Sequence, residues 1–151
     1  MIGVDATTGC ANTMNGSATA TTDLFQCWQL QYFGCTNCPE AAPTADPDGD
    51  GQNNLAEFLS GTVPTNSASA LRVTFAVRQG NDVVITWTTA GTHTNAVQAT
   101  PGDGNGGYAT NFTDISSPII ITGSGDATTN YTDAGGATNA PSRYYRLRLV
   151  P

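Results

Sequence analysis

The chain contains no lysine and a single histidine, His93, and only 11% of its 151 residues are charged. Without lysine there is no Schiff-base chemistry and no lysine isopeptide crosslink. With one imidazole there is neither a multi-histidine metal site nor a histidine pair for proton shuttling. The five positive charges are all Arg, set against twelve acids for a net charge of -7, so the basic footprint of a nucleic-acid-binding domain is absent. No apolar run approaches the roughly 20 residues of a membrane span, and no charged-then-apolar signal peptide is present. The sequence reads as a mature or excised piece of a secreted protein. Thr, Ala, Gly, Asn and Ser fill the composition, with 38% hydrophobic residues, enough for one or two small domains with thin cores.

The charges that remain are segregated. Residues 1–71 hold Asp5, Asp23, Glu40, Asp46, Asp48, Asp50 and Glu57 and no base, while residues 72–151 hold five Asp against five Arg. Such segregation suits a cation site in the front half, or a head that attracts the Arg-bearing tail of another copy. The four cysteines, Cys10, Cys27, Cys35 and Cys38, all lie in the first quarter. An even number in such a chain reads as two disulfides and an oxidising, extracytoplasmic setting. A four-cysteine zinc site would need a second close pair, which Cys10 and Cys27 do not make. Three pairings are open; the favoured one joins Cys10 to Cys27 and Cys35 to Cys38.

Residues 1–22 are poor in large apolar side chains, but Ile2, Val4 and Ala6 alternate with Gly3, Asp5 and Thr7 in the period of a strand. A helix is expected next, with Thr22 or Asp23 as N-cap, Leu24, Phe25, Trp28, Tyr32 and Phe33 as its apolar stripe, and Gly34 as its stop. After a Cys and Pro loop, Asn54 to Ser60 reads as a second short helix stopped by Gly61, and residues 62–70 as a linker. From Leu71 the period becomes two: Leu71, Val73, Phe75 and Val77 alternate with Arg72, Thr74, Ala76 and Arg78, and Val83, Ile85 and Trp87 follow the Gly80-Asn81 turn. Further strands are expected at Ala96–Thr100, Tyr108–Thr113, Pro118–Thr122, Thr129–Asp133 and Arg143–Val150. In the last, Tyr145, Leu147 and Leu149 share one side and Tyr144, Arg146 and Arg148 the other. Seven short strands indicate an antiparallel sandwich. The expected fold is α+β, with an N-terminal extension at 1–22, a disulfide-bridged helix, loop and helix unit at 23–61, the linker, and a sandwich at 71–151.

The most specific pattern is Asp46-Pro47-Asp48-Gly49-Asp50-Gly51-Gln52-Asn53-Asn54-Leu55-Ala56-Glu57, which matches the twelve-residue EF-hand calcium loop at every position that supplies or shapes a ligand. A hard cation needs six to eight oxygens, and alternate residues on a tight loop point Asp46, Asp48 and Asp50 inward. Gly51 permits the sharp turn, Gln52 offers its carbonyl, Asn54 sits at the often water-mediated ninth place, and Glu57 closes the shell bidentately. Left empty, four carboxylates in twelve residues repel one another.

The run Trp28-Gln29-Leu30-Gln31-Tyr32-Phe33-Gly34, then DPDGDGQNNLAEFLSGT and Pro64-Thr65-Asn66, resembles the calcium modules near the C-termini of large secreted bacterial surface proteins, which are similar to dockerin and thrombospondin type 3 loops. The later NYTDAGGATNAPSRYYRLRLVP, with the Ile85-Thr86-Trp87 strand, resembles the fibronectin type III sandwich that follows the loop in such proteins. The resemblance covers about residues 24–151. It implies an extracellular, non-catalytic, calcium-stabilised module with Asp46, Asp48, Asp50, Gln52, Asn54 and Glu57 as ligands. A dockerin has two loops and this chain has one, and the family does not account for the N-terminal segment.

Other patterns carry less. Gly102-Asp103-Gly104-Asn105-Gly106-Gly107 has neither the lysine nor the following helix of a phosphate loop, and reads as a hairpin connection. Gly123-Ser124-Gly125 lacks nucleophile-elbow spacing, and His93 in a Thr-rich and Asn-rich strand edge makes no serine triad. Trp87 and Tyr144 are candidates for stacking on sugar, with core packing the ordinary role of such a Trp. Asn15, Asn111 and Asn130 each begin an Asn-x-Ser/Thr glycosylation triplet. A fibronectin-like sandwich ends with strands F and G; Tyr144-Tyr145-Arg146-Leu147 looks like F, and no G follows. The expectation is therefore a non-enzymatic, calcium-stabilised extracellular subunit that polymerises head-to-tail into a surface filament. In that filament Ile2, Val4 and Ala6 of one copy would pair beside Tyr145, Leu147 and Leu149 of the next; the sequence leaves open that the segment instead folds back onto its own sandwich or is disordered. The alternative is a carbohydrate-binding or cell-surface anchoring module, with glycans rather than other copies as partners.

Overall fold

The computed structural model describes residues 20–138 and 141–151. It is a mixed α+β chain in two compact units: one runs up to Leu59 and includes Val63–Ala68, the other takes Ser60–Thr62 and Ser69–Pro151.

In the first unit, helix α1 spans Ala20–Phe33 and ends at Gly34, whose φ of 70° only glycine adopts readily. The helix begins two or three residues before the expected Thr22 or Asp23 caps. A 3-10 turn follows at Pro39–Ala41, and helix α2 spans Asn54–Ser60, as the spacing predicts. The apolar stripe of α1 packs as an aromatic cluster: Phe25 stacks on Trp28 at 5.5 Å, and Phe58 of α2 meets both rings edge-on, at 5.2 and 5.9 Å. Gln29 on the same helix is buried and donates through Nε2 to the carbonyl of Ala41 at 2.6 Å, tying α1 to the 3-10 turn.

In the second unit, seven strands form two antiparallel sheets. They are β1 (Arg72–Gln79), β2 (Asp82–Ala90), β3 (Thr94–Gly102), β4 (Thr113–Asp114), β5 (Ile119–Ile120), β6 (Asp126–Asp133) and β7 (Ser142–Val150). One sheet has the order β1-β2-β6; in the other, β3 is flanked by β4 and β5 along one edge and by β7 along the other. The core lies between the sheets: Ile85 and Trp87 of β2 and Val97 of β3 are fully buried, with Leu71, Val73, Tyr131, Tyr145 and Leu147 packed against them. Thr62, Pro64, Ser69 and Ala70, in the stretch read as a linker, are buried too.

Two expected strands are largely loop. Only Thr113 of the Tyr108–Thr113 segment lies in a strand, and the Pro118–Thr122 segment is strand only at Ile119 and Ile120, with Ile121 exchanging backbone hydrogen bonds with Thr92 and His93 beyond it. In a strand Tyr108 and Phe112 would share a face about 13 Å apart; here the chain turns at Asn111 and their rings meet at 5.9 Å.

β1 also departs from its simple alternation. The register shifts between Val73 and Phe75, so that Val73 opposes Trp87 but Phe75 opposes Thr86 and Val77 opposes Val84. Directly opposed residues share a face, and one bulge exchanges faces for everything beyond it. Phe75 and Val77 therefore point away from Ile85 and Trp87 and are 64% and 50% exposed. The apolar series Leu71, Val73, Phe75, Val77 is thus not one core face.

β7 keeps the alternation read from its sequence. Tyr145, Leu147 and Leu149 oppose Ala99, Val97 and Asn95 on the core side, and Tyr144, Arg146 and Arg148 oppose Thr100, Gln98 and Ala96 on the outer side. No described strand pairs with the second edge of β7.

Candidate metal centre

The loop that leads into α2 is organised by its own aspartates. Asp46 accepts the N–H groups of Gly49 at 2.9 Å and Gly51 at 3.0 Å, which folds the chain back over one carboxylate. Both glycines have positive φ, 73° and 96°, where a side chain is strained. Asp48 accepts from the Asp50 N–H at 3.2 Å, and Asp50 from the Gln52 N–H at 2.7 Å. Each thereby uses Oδ1. The Oδ2 atoms of both are shielded from solvent and have no hydrogen-bond partner among the described residues.

Carboxylate oxygens of Asp46, Asp48 and Asp50 lie within 4.8 Å of one another. Burial pushes the Asp48 carboxyl above the usual carboxylate range, and the negative charges of Asp50 and Asp46 push the same way, opposed by N–H groups of Asp50 and Asn66. Asp46 is exposed and Asp48 and Asp50 are half-buried, so the three carboxylates form an open cluster of like charges, the kind of oxygen set a hard cation takes as ligands.

Further expected ligands are held on α2. Asn54 is fully buried; its Nδ2 donates to the carbonyls of Glu40 at 2.7 Å and Ala42 at 2.8 Å, while Oδ1 has no hydrogen-bond partner among the described residues. Its backbone N–H donates to Ala45 at 2.8 Å, and that of Leu55 to Pro43 at 3.0 Å, so the first turn of α2 is fastened to residues 40–45. Glu57 is also fully buried, where an ionised carboxylate costs several kcal/mol unless a cation or donors compensate it. It lies outside the three-aspartate cluster itself. Gln52 is half-buried. The anchoring of Asn54 to the Glu40 and Ala42 carbonyls could not be read from the loop pattern, because those acceptors are backbone atoms twelve to fourteen residues away.

No family model, curated protein or solved structure matches this chain. The remaining candidates are therefore judged on their surroundings alone. Cys35 and Cys38 form a disulfide, with Cα atoms 5.9 Å apart; Cys27 is disulfide-bonded as well, and Cys10 lies outside the described residues. Trp87 is fully buried and donates through Nε1 to Asn95 at 3.1 Å, a core role that leaves no face for a sugar. His93 contacts the carbonyl of Gly91 through Nδ1 at 3.0 Å and covers bare Gly61, where a Cβ would meet the ring. The Gly102–Gly107 loop is capped by Asp103, which accepts from Asn105 at 2.8 Å and Gly107 at 3.0 Å. Of the glycosylation triplets, Asn111 and Asn130 are exposed; Asn15 lies outside the described residues. So do Ile2, Val4 and Ala6.

β7 carries a second concentration of polar contacts. Asp133 accepts from Tyr145 Oη at 3.0 Å and pairs with Arg143 at 2.7 Å. Burial and then Asp133 push the Tyr145 hydroxyl up to about 12. On the outer face Arg146 donates to Gln98 at 2.7 Å and Arg148 pairs with Asp114, which with Gln98 holds the Asp114 carboxyl below its usual range. Arg146 also lies 4.3 Å over the ring of Phe112. Among the described residues no helix is long and apolar enough to cross a membrane.

Proposed function

We propose that this chain is a non-enzymatic, extracellular structural subunit, braced by calcium in the loop at residues 46–57 and joined to further copies by donation of a strand to β7. The observation that carries the reading is the second edge of β7. That edge is nine residues long, unbroken by proline or bulge, and unpaired among the described residues, and its core-facing Tyr145, Leu147 and Leu149 are only half-buried. Natural sheets cover or charge such edges. β1 is interrupted by its bulge, whereas β6 carries Asp126 and Asp133 at its ends and β7 itself carries Arg143, Arg146 and Arg148, so charge does not set the β7 edge apart and the reading rests on its length and its half-buried apolar side chains.

On the fibronectin-like reading, the strand orders β1-β2-β6 and β3-β7 would stand for strands A-B-E and C-F, and a strand G would lie beside F. The segment Ile2, Val4, Ala6 has the alternation a G strand needs, and a tether of about fourteen residues spans up to about 45 Å when extended. Head-to-tail donation of this kind gives an open polymer. Charge adds little to the polarity, since Arg143 and Arg148 already pair with Asp133 and Asp114. Negative-stain electron micrographs of the purified protein test the reading. Filaments with a repeat of one subunit are expected, and a uniformly monomeric field removes the assembly.

Calcium is the second half of the reading, and it is tested by melting. A single loop of extracellular type binds at roughly 0.1 to 1 mM, and calcium at ten times its dissociation constant stabilises by about 1.4 kcal/mol, a rise of about 4 °C for a chain of this size. The parent melts higher in calcium than in chelator, and Glu57→Ala and Asp48→Ala do not respond. Equal melting of the parent in both would remove calcium from the account.

A further inference from the structure

The loop between β3 and β4 carries an exposed aromatic ring that its own packing does not use. Tyr108 is 54% exposed, yet its ring is fixed from the inner side, by Tyr144 at 4.7 Å and 34° and by Phe112 edge-on at 5.9 Å. Phe112 is in turn held beneath the Arg146 guanidinium. Tyr144 has a local reason to be there, since it lies over bare Gly102, where a Cβ would stand 2.6 Å from its ring. The outward face of Tyr108 has no such reason.

Three residues on is Asn111, exposed, opening the triplet Asn111-Phe112-Thr113 with an exposed Thr113. The Phe112 N–H reaches back to the Thr110 carbonyl at 3.2 Å, a tight turn centred on Asn111. Asn130 is placed differently, in the middle of β6 and paired in the ladder opposite Thr86.

We propose that Asn111 is an N-glycosylation site and that the apolar face of its first sugar stacks on Tyr108. Transfer forms a bond from Asn111 Nδ2 to the anomeric carbon of a lipid-diphosphate-linked oligosaccharide. It breaks that carbon's bond to the diphosphate oxygen, and releases one amide proton with the lipid diphosphate. The triplet supplies the acceptor amide and the Thr113 hydroxyl. A pyranose presents C–H groups on one face, and an aromatic ring already immobilised by its neighbours binds such a face without ordering its own side chain. The site rests on the extracytoplasmic part of the reading above, since the sugar donor is met during export.

Mass spectrometry of peptides from the protein purified from its native source tests both together. A saccharide mass on the Asn111 peptide, an unmodified Asn130 peptide and an oxidised Cys35–Cys38 pair are expected. An unmodified Asn111 with the disulfide oxidised overturns the glycan and leaves export standing; an unmodified Asn111 with reduced cysteines overturns both. The stacking is read separately by melting proteins made in the native host. Asn111→Gln lowers the midpoint of the parent by about 4 °C and lowers that of Tyr108→Ala by less than 1 °C. Equal drops in the two backgrounds show that the sugar does not use the ring.

Discussion

Deleting residues 1–9 leaves the protein monomeric, and a synthetic peptide of those residues binds the truncated form and caps it. On the strand-donation proposal, the variant keeps the edge of β7 and loses only the proposed donor strand. The variant is therefore expected to keep the parent's response of melting to calcium while losing filaments in the micrograph. Light scattering after size exclusion gives the mass, and titration with labelled peptide gives the binding. Carrying charge into the proposed donor strand is a milder form of the same change: if the strand is donated, Val4→Asp carries a carboxylate into an apolar interface, and the unpaired buried charge disfavours assembly by several kcal/mol. Filaments of unchanged repeat from the truncated chain would show that the copies are joined elsewhere.

Asn95→Ala lowers stability by about 3 kcal/mol. Asn95 is fully buried, and its Oδ1 accepts both the Trp87 indole N–H at 3.1 Å and the Thr89 hydroxyl at 2.8 Å. Alanine leaves two buried donors unsatisfied, each at a cost of about 1–3 kcal/mol, and adds a small cavity. Trp87→Phe, which removes the indole donor, should accordingly cost about 1 kcal/mol less in the Asn95→Ala background than in the parent. Urea unfolding followed by far-ultraviolet dichroism measures all four proteins. A loss below about 1 kcal/mol for Asn95→Ala would mean that water or a neighbouring group takes over its bonds.

How far the sequence could be read varies with the range of the interactions involved. α2 was legible end to end: Gly61 is a local stop signal, and the side chain of Asn53, just before the helix, accepts the Ala56 N–H at 2.9 Å. The β1–β2 hairpin was legible from Gly80-Asn81 and the alternation on either side. The bulge after Val73 was not: a run of alternating residues carries no mark of where its partner slips by one, and the partner, β2, decides. The Tyr108–Thr113 segment was misread as a strand because its Tyr, Phe and Thr favour strands, whereas Tyr144 and Arg146, thirty residues further along, gather its rings into a loop. In the candidate metal loop, the spacing of Asp46, Asp48 and Asp50 was visible and their convergence follows from it. The burial of Asn54 and Glu57 depends on how α2 seats against residues 40–45, which no spacing rule encodes.

The pairing of β3 with β7 also has a consequence in time. β1 and β2 meet across a two-residue turn, starting from Gln79 and Asp82, whereas β3 and β7 join Thr94 to Val150 and Gly102 to Ser142. Contacts so distant along the chain form slowly, since the loop between them must close before any of them is rewarded. The β1–β2 hairpin can therefore assemble first, while β6, whose pairs with β2 run from Ala90 opposite Asp126 to Val83 opposite Asp133, is nearly as distant as β7, and β3 still has only the two-residue strands β4 and β5 beside it. During that interval Val97 and the inner face of β3 wait uncovered. The span before β7 arrives is when this molecule is most exposed to aggregation, and a foreign strand has its best opportunity to enter.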